Sequence, residues 1–391
     1  MARHPDTDVL HAGDGARETA TPLTTPIYAT STFVFDSADE VEAYAKGASK
    51  KYLYSRYENP TVQAVETKLA LLEGGEAALV TSSGMAATST ALFGLLRPGD
   101  ELVCSAAIYG GTMHLATRVL SEFGVRVRFA SLDELAHPER LLGEATRLLW
   151  FESPINPTMR CVDIARIGEA CRAKGVTSAI DNTFASPINQ QPIALGIDLI
   201  MHSATKYLNG HSDVTCGALV GPRALVDRLL AARRLFGGVL EPASAYALNR
   251  GLKTLAVRVA RQNASAMALA RWLAQDGRVS AVYHPGLPSH PDHEIARRQM
   301  RGFGGMICID LDGDYRAACR VYDRLEVFQR AASLGGVESL CSLPVLTSHY
   351  GFTDDQLAAA GVTRGMLRLS VGLEHPDDLI ADLDQALGRP A

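Results

Sequence analysis

The 391-residue chain has no paired cysteine motif, no metal-ligand spacing, no strong excess of either charge and no long apolar run. Each absence closes off a class of protein. Seven cysteines (Cys104, Cys161, Cys171, Cys216, Cys308, Cys319, Cys341) stand singly, mostly beside apolar neighbours, and none forms a Cys-x-x-Cys pair. They read as reduced core thiols rather than disulfide halves or metal ligands. The eleven histidines show no His-Glu-x-x-His or similar spacing, so no metal is expected. A net charge of −5 with both signs interspersed argues against nucleic acid or an anionic membrane as the main partner. No apolar run approaches a membrane span, and residues 1–15 lack the apolar core of a signal peptide, so a cytoplasmic location is expected.

What remains is a chain long enough for two or three domains and a sizeable core. Residues 1–60 are rich in Thr, Ser, Pro and Tyr and read as an extended arm. From Thr61 the pattern changes to apolar strand-like runs alternating with helical periodicity, the signature of an α/β layer structure. Strand candidates are 77–81, 101–105, 126–129, 148–151, 177–180, 199–202 and 218–220, mostly separated by helical segments. The sheet should therefore be mainly parallel. The expected division is a large domain over 61–250 and a smaller C-terminal α/β domain over 251–391, with one long helix over about 242–275 leading into the second.

The most informative segment is Ile197-Asp198-Leu199-Ile200-Met201-His202-Ser203-Ala204-Thr205-Lys206. A strand runs into two hydroxyl residues and then a lysine, so Ser203 and Thr205 can bind a phosphate while Lys206 faces the same site. Lysine is scarce: the others are Lys46, Lys50, Lys51, Lys68, Lys174 and Lys253. Burying an ammonium in so apolar a segment is costly unless it is paired or neutralised, and a Schiff base neutralises it. Taken alone, Ser-x-Thr-Lys also describes a surface turn. Its company narrows the choice. Ser178-Ala179-Ile180-Asp181 ends a buried strand in a carboxylate suited to a cofactor pyridine nitrogen, although alone such an acid is a common cap or turn residue. The turn Ser82-Ser83-Gly84-Met85 opens a helix whose N–H groups and dipole suit a phosphate. Three strand ends offering phosphate donors, an acid and a lysine belong at one edge of a parallel sheet.

The stretches Tyr54-Ser55-Arg56-Tyr57-Glu58-Asn59-Pro60, Ser83-Gly84-Met85, Tyr109-Gly110-Gly111-Thr112, Glu152-Ser153-Pro154-Ile155-Asn156-Pro157, Asp181-Asn182-Thr183, Ser203-Ala204-Thr205-Lys206-Tyr207, Tyr283-His284-Pro285-Gly286 and Arg368-Leu369-Ser370-Val371-Gly372 follow one another in a familiar order. The chain resembles, over nearly its whole length, the Cys/Met metabolism family of pyridoxal-phosphate enzymes. The resemblance implies an aspartate-aminotransferase-like fold of type I, pyridoxal 5′-phosphate as cofactor, a small amino-acid substrate and a homotetramer built as a dimer of dimers. It implies that Lys206 carries the cofactor and shuttles protons. Asp181 would partner the pyridine nitrogen, and Tyr109 would stack on the ring and act as acid or base. Gly84, Met85, Ser203 and Thr205 would hold the phosphate, with Tyr54 and Arg56 reaching it from the neighbouring subunit. Arg368 would grip the substrate carboxylate, helped by Ser333 and Asn156. Read without the family, Arg368 is one arginine of 31, yet it lies between apolar residues, where an arginine usually has an anionic partner.

Two positions bear on the reaction. Relatives that handle cystathionine carry a glutamate just before Ser-Leu-Gly-Gly, where this chain has Ala332, as methionine γ-lyases have an apolar residue. Methionine γ-lyases typically show Tyr-Gly-Cys-Thr, whereas here the sequence is Tyr109-Gly110-Gly111-Thr112, as in the cystathionine enzymes. Ser348 stands where relatives usually carry threonine before the histidine, and Glu241 is an unusual acid expected near the cofactor pocket. The expected reaction is α,γ-elimination of L-methionine. Action on cystathionine, as a γ-lyase or γ-synthase, or on an activated homoserine, as a sulfhydrylase, is the alternative. A silent cofactor-binding scaffold is a distant third, since every expected catalytic position is filled.

Overall fold

The computed structural model describes residues 4–11 and 22–388. The remaining residues of the N-terminal arm and 389–391 lie outside this description.

Seven strands form the large sheet: β1 (Ala77–Thr81), β2 (Glu101–Ser105), β3 (Arg126–Ala130), β4 (Thr146–Glu152), β5 (Thr177–Asp181), β6 (Leu199–His202) and β7 (Gly217–Gly221). They are the seven runs expected from the sequence, extended by up to two residues at an end. Their order is β1-β7-β6-β5-β4-β2-β3. From β6 through β5, β4 and β2 to β3 every pairing is parallel, while β7 runs antiparallel to both β1 and β6. Two antiparallel steps restore direction, so β1 ends at the same edge as β6. The strands are near-continuous apolar runs because both faces are covered. Alternate residues serve opposite faces. Val80, Phe151, Ile180 and Ile200 enter one core cluster; Leu79, Trp150, Ala179 and Leu199 enter the other.

The first cluster also takes Val62, Val65, Leu69 and Leu72. These lie on α3, counting α1 (Pro5–His11) and α2 (Ala38–Ala45) before it, which spans Pro60–Glu73. Asn59 caps α3, Pro60 opens it, and Gly74 ends it in the left-handed region at φ 74°. The second cluster takes Ala87, Ala91, Leu92 and Leu95 from α4 (Gly84–Leu95). Outside α1 and α2 the described part of the arm is largely extended and doubles back on itself, Thr32 bridging Tyr54, Phe33 N–H donating to Leu53 O and Ser55 N–H to Ser31 O. Leu23 and Val34 are 92% and 85% exposed on it.

A second sheet comprises β8 (Ala281–Tyr283), β9 (Met306–Asp310), β10 (Gln329–Arg330), β11 (Leu340–Ser342) and β12 (Met366–Ser370), ordered β10-β11-β12-β9-β8. Helices Leu255–Leu273 and Pro376–Leu387 pack Leu269, Leu273, Leu379 and Leu383 into its core. The expected single helix over 242–275 is two, Pro242–Leu252 and Leu255–Leu273. At the break, Thr254 N–H bonds back only three residues to Gly251 O, and the buried Arg258 folds back to donate to the same carbonyl at 2.9 Å. At Gly251 O the arginine stands in for the backbone N–H that a continuous helix would have supplied. All seven cysteines are free, and six of them are buried. No helix among the described residues is long and apolar enough to cross a membrane.

Candidate active site

The strands β1, β2, β4, β5 and β6 all end at one edge, and the turns leaving them converge on a cavity of about 620 Å³ closed from the other side by loops around the second sheet. Gly84, Met85, Tyr109, Asn156, Asp181, Ser203, Thr205 and Lys206 line it from the large sheet. Ala332, Ser333, Ser348 and Arg368 line it from the second. Of the site residues expected from the sequence, Tyr54 and Arg56 stand apart. Tyr54 is exposed, and the Arg56 guanidinium lies 4.7 Å from the Tyr57 ring centre while donating to Arg234 O at 2.5 Å.

The start of α4 provides an anion cradle. Ser83 caps the helix by accepting Ala86 N–H at 3.0 Å, leaving the N–H groups of Gly84 and Met85 at its open end. A Cβ on Gly84 would come within 3.0 Å of the Ser203 side chain, so glycine allows these two turns to approach closely. Thr205 is fixed against the entry to β7: its N–H donates to Cys216 O at 3.1 Å, and its hydroxyl accepts Cys216 N–H at 2.9 Å. The next residue, Lys206, is mostly buried and its Nζ donates to Ser333 Oγ at 3.0 Å. Burial, and then the charge of Arg368, hold its ammonium pKa below the usual lysine range.

Asp181 accepts Thr183 N–H on Oδ1 at 3.0 Å. Burial raises its pKa, opposed by Thr183 and by the charge of His202. His202 is itself buried and paired with Glu73 at 2.5 Å. Asp181 and Glu152 are register partners on adjacent strands. Burial first, and then the Asp181 charge, raise the Glu152 pKa, opposed by the Asn156 and Tyr109 N–H groups that it accepts. Two buried carboxylates side by side do not both ionise cheaply, and both are held above the usual carboxylate range. Glu152 also lines the cavity and was not anticipated. The available signal was that β4 ends on an acid as β5 does.

Arg368, on β12, is buried and donates from Nη1 to Asn156 Oδ1 at 3.0 Å and from Nη2 to Ser333 O at 3.1 Å. Its Nε has no partner, and among the described residues no carboxylate pairs with it. A buried fork without its anion is a receptor for one. Ser348 Oγ lies 3.0 Å from His349 Nδ1, and burial, followed by the Arg368 charge, lowers His349 to about 4. Glu241 follows Gly238 and Val239, whose backbone pairs with Ser82 and Thr81. Glu241 does not line this cavity; it is exposed and caps the helix Pro242–Leu252, accepting Ser244 N–H at 2.9 Å.

An anion cradle at a helix start, an acid at a buried strand end, a lysine with a depressed pKa and an arginine fork lacking its anion fit pyridoxal phosphate and an amino-acid substrate. The fold and site thus define a pyridoxal-phosphate enzyme of the aspartate-aminotransferase-like, type I class. The chain belongs to the Cys/Met metabolism PLP-dependent enzyme family, whose model matches residues 6–388. It is 43% identical over 387 residues to an L-methionine gamma-lyase of Pseudomonas putida, covering 98% of this chain and 97% of that one. It is 42% identical over 387 residues to a cystathionine beta-lyase of Coxiella burnetii, covering 98% of each. The crystal structure of metB from Corynebacterium glutamicum superposes with a TM-score of 0.92 at 36% identity, covering 98% of both chains. The near-equal identities to two differently named enzymes leave substrate choice to the residues of the cavity.

Proposed function

We propose that the protein catalyses α,γ-elimination of L-methionine to methanethiol, 2-oxobutanoate and ammonia. The observation that carries this reading is the character of the wall facing the large sheet. It presents Ala332, Leu334 and Leu346, and among the described lining residues the only carboxylates are Glu152 and Asp181, at strand ends of the large sheet. A distal ammonium, as cystathionine carries, would meet no carboxylate on that wall and would be desolvated at a cost of about 1–3 kcal/mol. A methyl thioether carries no such penalty.

In this reading Arg368 and Asn156 receive the substrate carboxylate, and Gly84, Met85, Ser203 and Thr205 hold the phosphate. Asp181 would partner the pyridine nitrogen and keep it protonated. Bound pyridoxal phosphate supplies the electron sink that makes the substrate Cα–H acidic. Lys206 Nζ takes the Cα proton, hands it on, and as the free base again takes a Cβ proton; burial and the Arg368 charge, which lower its pKa, favour that free base. The Tyr109 hydroxyl gives a proton to the departing thiolate. Tyr54, Arg56 and the bare Leu23 and Val34 of the arm serve a neighbouring subunit of a homotetramer, which accounts for apolar side chains left in water.

One observation favours the alternative, action on cystathionine or an activated homoserine. Gly111 matches the cystathionine branch, and a Cβ there would fall 2.5 Å from Tyr109 Cε1. The test compares kcat/KM for L-methionine and L-cystathionine in the wild type and in Ala332→Glu. The wild type should favour methionine by about tenfold or more, and the variant should shift the ratio towards cystathionine by a similar factor. A wild type that prefers cystathionine overturns the reading.

A further inference from the structure

We propose that Glu152 is a positioning residue that ties the aromatic wall of the cofactor pocket to the fork awaiting the substrate carboxylate. This rests on the roles proposed above for Tyr109 and Asn156. Glu152 ends β4, and its two oxygens serve two different loops. Oε2 accepts Tyr109 N–H at 3.0 Å, and Oε1 accepts Asn156 N–H at 3.1 Å. Asn156 in turn accepts Arg368 Nη1 at 3.0 Å, Arg368 Nη2 donates to Ser333 O at 3.1 Å, and Ser333 Oγ accepts Lys206 Nζ at 3.0 Å. Tyr109 and Lys206 are thereby the two ends of one hydrogen-bonded chain around the cavity, and Glu152 is its link between ring and carboxylate.

The residue type matters. A carboxylate offers an acceptor to each loop, whereas a glutamine of the same shape offers one acceptor and turns its NH₂ towards the other N–H. An aspartate keeps the charge but lacks the reach to span both loops. An acid buried beside Asp181, where burial and that neighbour raise its pKa, is costly to keep, and the two accepted N–H groups lower it again.

The test uses the holoenzyme, with Glu152→Gln, Glu152→Asp, Tyr109→Ala and Asn156→Ala. Two readouts are taken: the visible circular dichroism of the bound cofactor, and the dissociation constant of glycine, which has no leaving group, from the change in visible absorbance. Tyr109→Ala should change the dichroism and Asn156→Ala the glycine affinity. Glu152→Gln should change both, weakening glycine binding by about tenfold. Its thermal midpoint should stay within about 5 °C of the wild type. Glu152→Asp should act in the same direction, and it carries the test if the glutamine variant does not fold. Responsive controls with a Glu152 variant that moves neither readout, or only one, overturn the tie alone. Controls that do not respond overturn the site assignment, and the proposal falls with it.

Discussion

Lys206 Nζ and Ser333 Oγ lie 3.0 Å apart, so the turn after β6 of the large sheet touches the loop after β10 of the small one at the centre of the cavity. The same serine gives its carbonyl to Arg368. One residue therefore contacts both Lys206 and Arg368, the groups proposed to move protons and to receive a carboxylate. Lys206→Ala should lower turnover by at least about a thousandfold while the fold persists, since it removes the proton carrier. Borohydride reduction of the holoenzyme followed by peptide mapping should find the cofactor on Lys206. Label on Lys174 or Lys253 would refute the assignment.

Gly111 leaves room for the Tyr109 ring. An added Cβ would lie 2.5 Å from Tyr109 Cε1 and 2.9 Å from Met85 Sδ. Tyr109 is half-exposed, so its ring can turn away rather than disrupt the fold. Gly111→Ala should therefore lower kcat by about ten- to a hundredfold through misplacement of the ring. Thermal unfolding should change little. Unaltered kcat in this variant would show that the position of this ring does not limit the reaction.

Arg56 faces away from its own cavity, towards Tyr57 and Arg234. Arg56→Ala chains and Lys206→Ala chains should each be inactive alone. After confirmed subunit exchange, mixing them should restore activity to about a quarter of the sites, because one site per hybrid dimer then combines an intact arm with an intact lysine. Hybrids that stay dead would assign the arm to its own subunit.

The strands of the large sheet were legible because each is an apolar run bounded by turn residues. The turns bearing Lys206, Asp181 and the open start of α4 were legible because they sit at the ends of those runs. The break near Lys253 was not, because helical periodicity continues through it and the deciding partner, Arg258, lies beyond the break in the following helix. Glu241 carried a readable signal, an acid followed by Pro242 and then Ser244, which is a helix start rather than a pocket residue. The acid at the end of β4 was readable, but the tie that Glu152 makes could be seen only in three dimensions: its partners Tyr109 and Asn156 belong to loops after different strands.

The antiparallel β7 has a consequence for how the molecule is made. In the large sheet β1 pairs with β7 alone, Ala77 opposite Gly221 and Thr81 opposite Gly217. Gly217 is packed so tightly behind the start of α4 that a Cβ there would meet Ser83 O at 2.2 Å. A nascent chain emerging from the ribosome up to residue 216 therefore holds β1 without its partner and the phosphate turn without its backing. The turn proposed to cradle the cofactor phosphate is thus made early in synthesis, yet it gains its backing only when β7 closes the sheet.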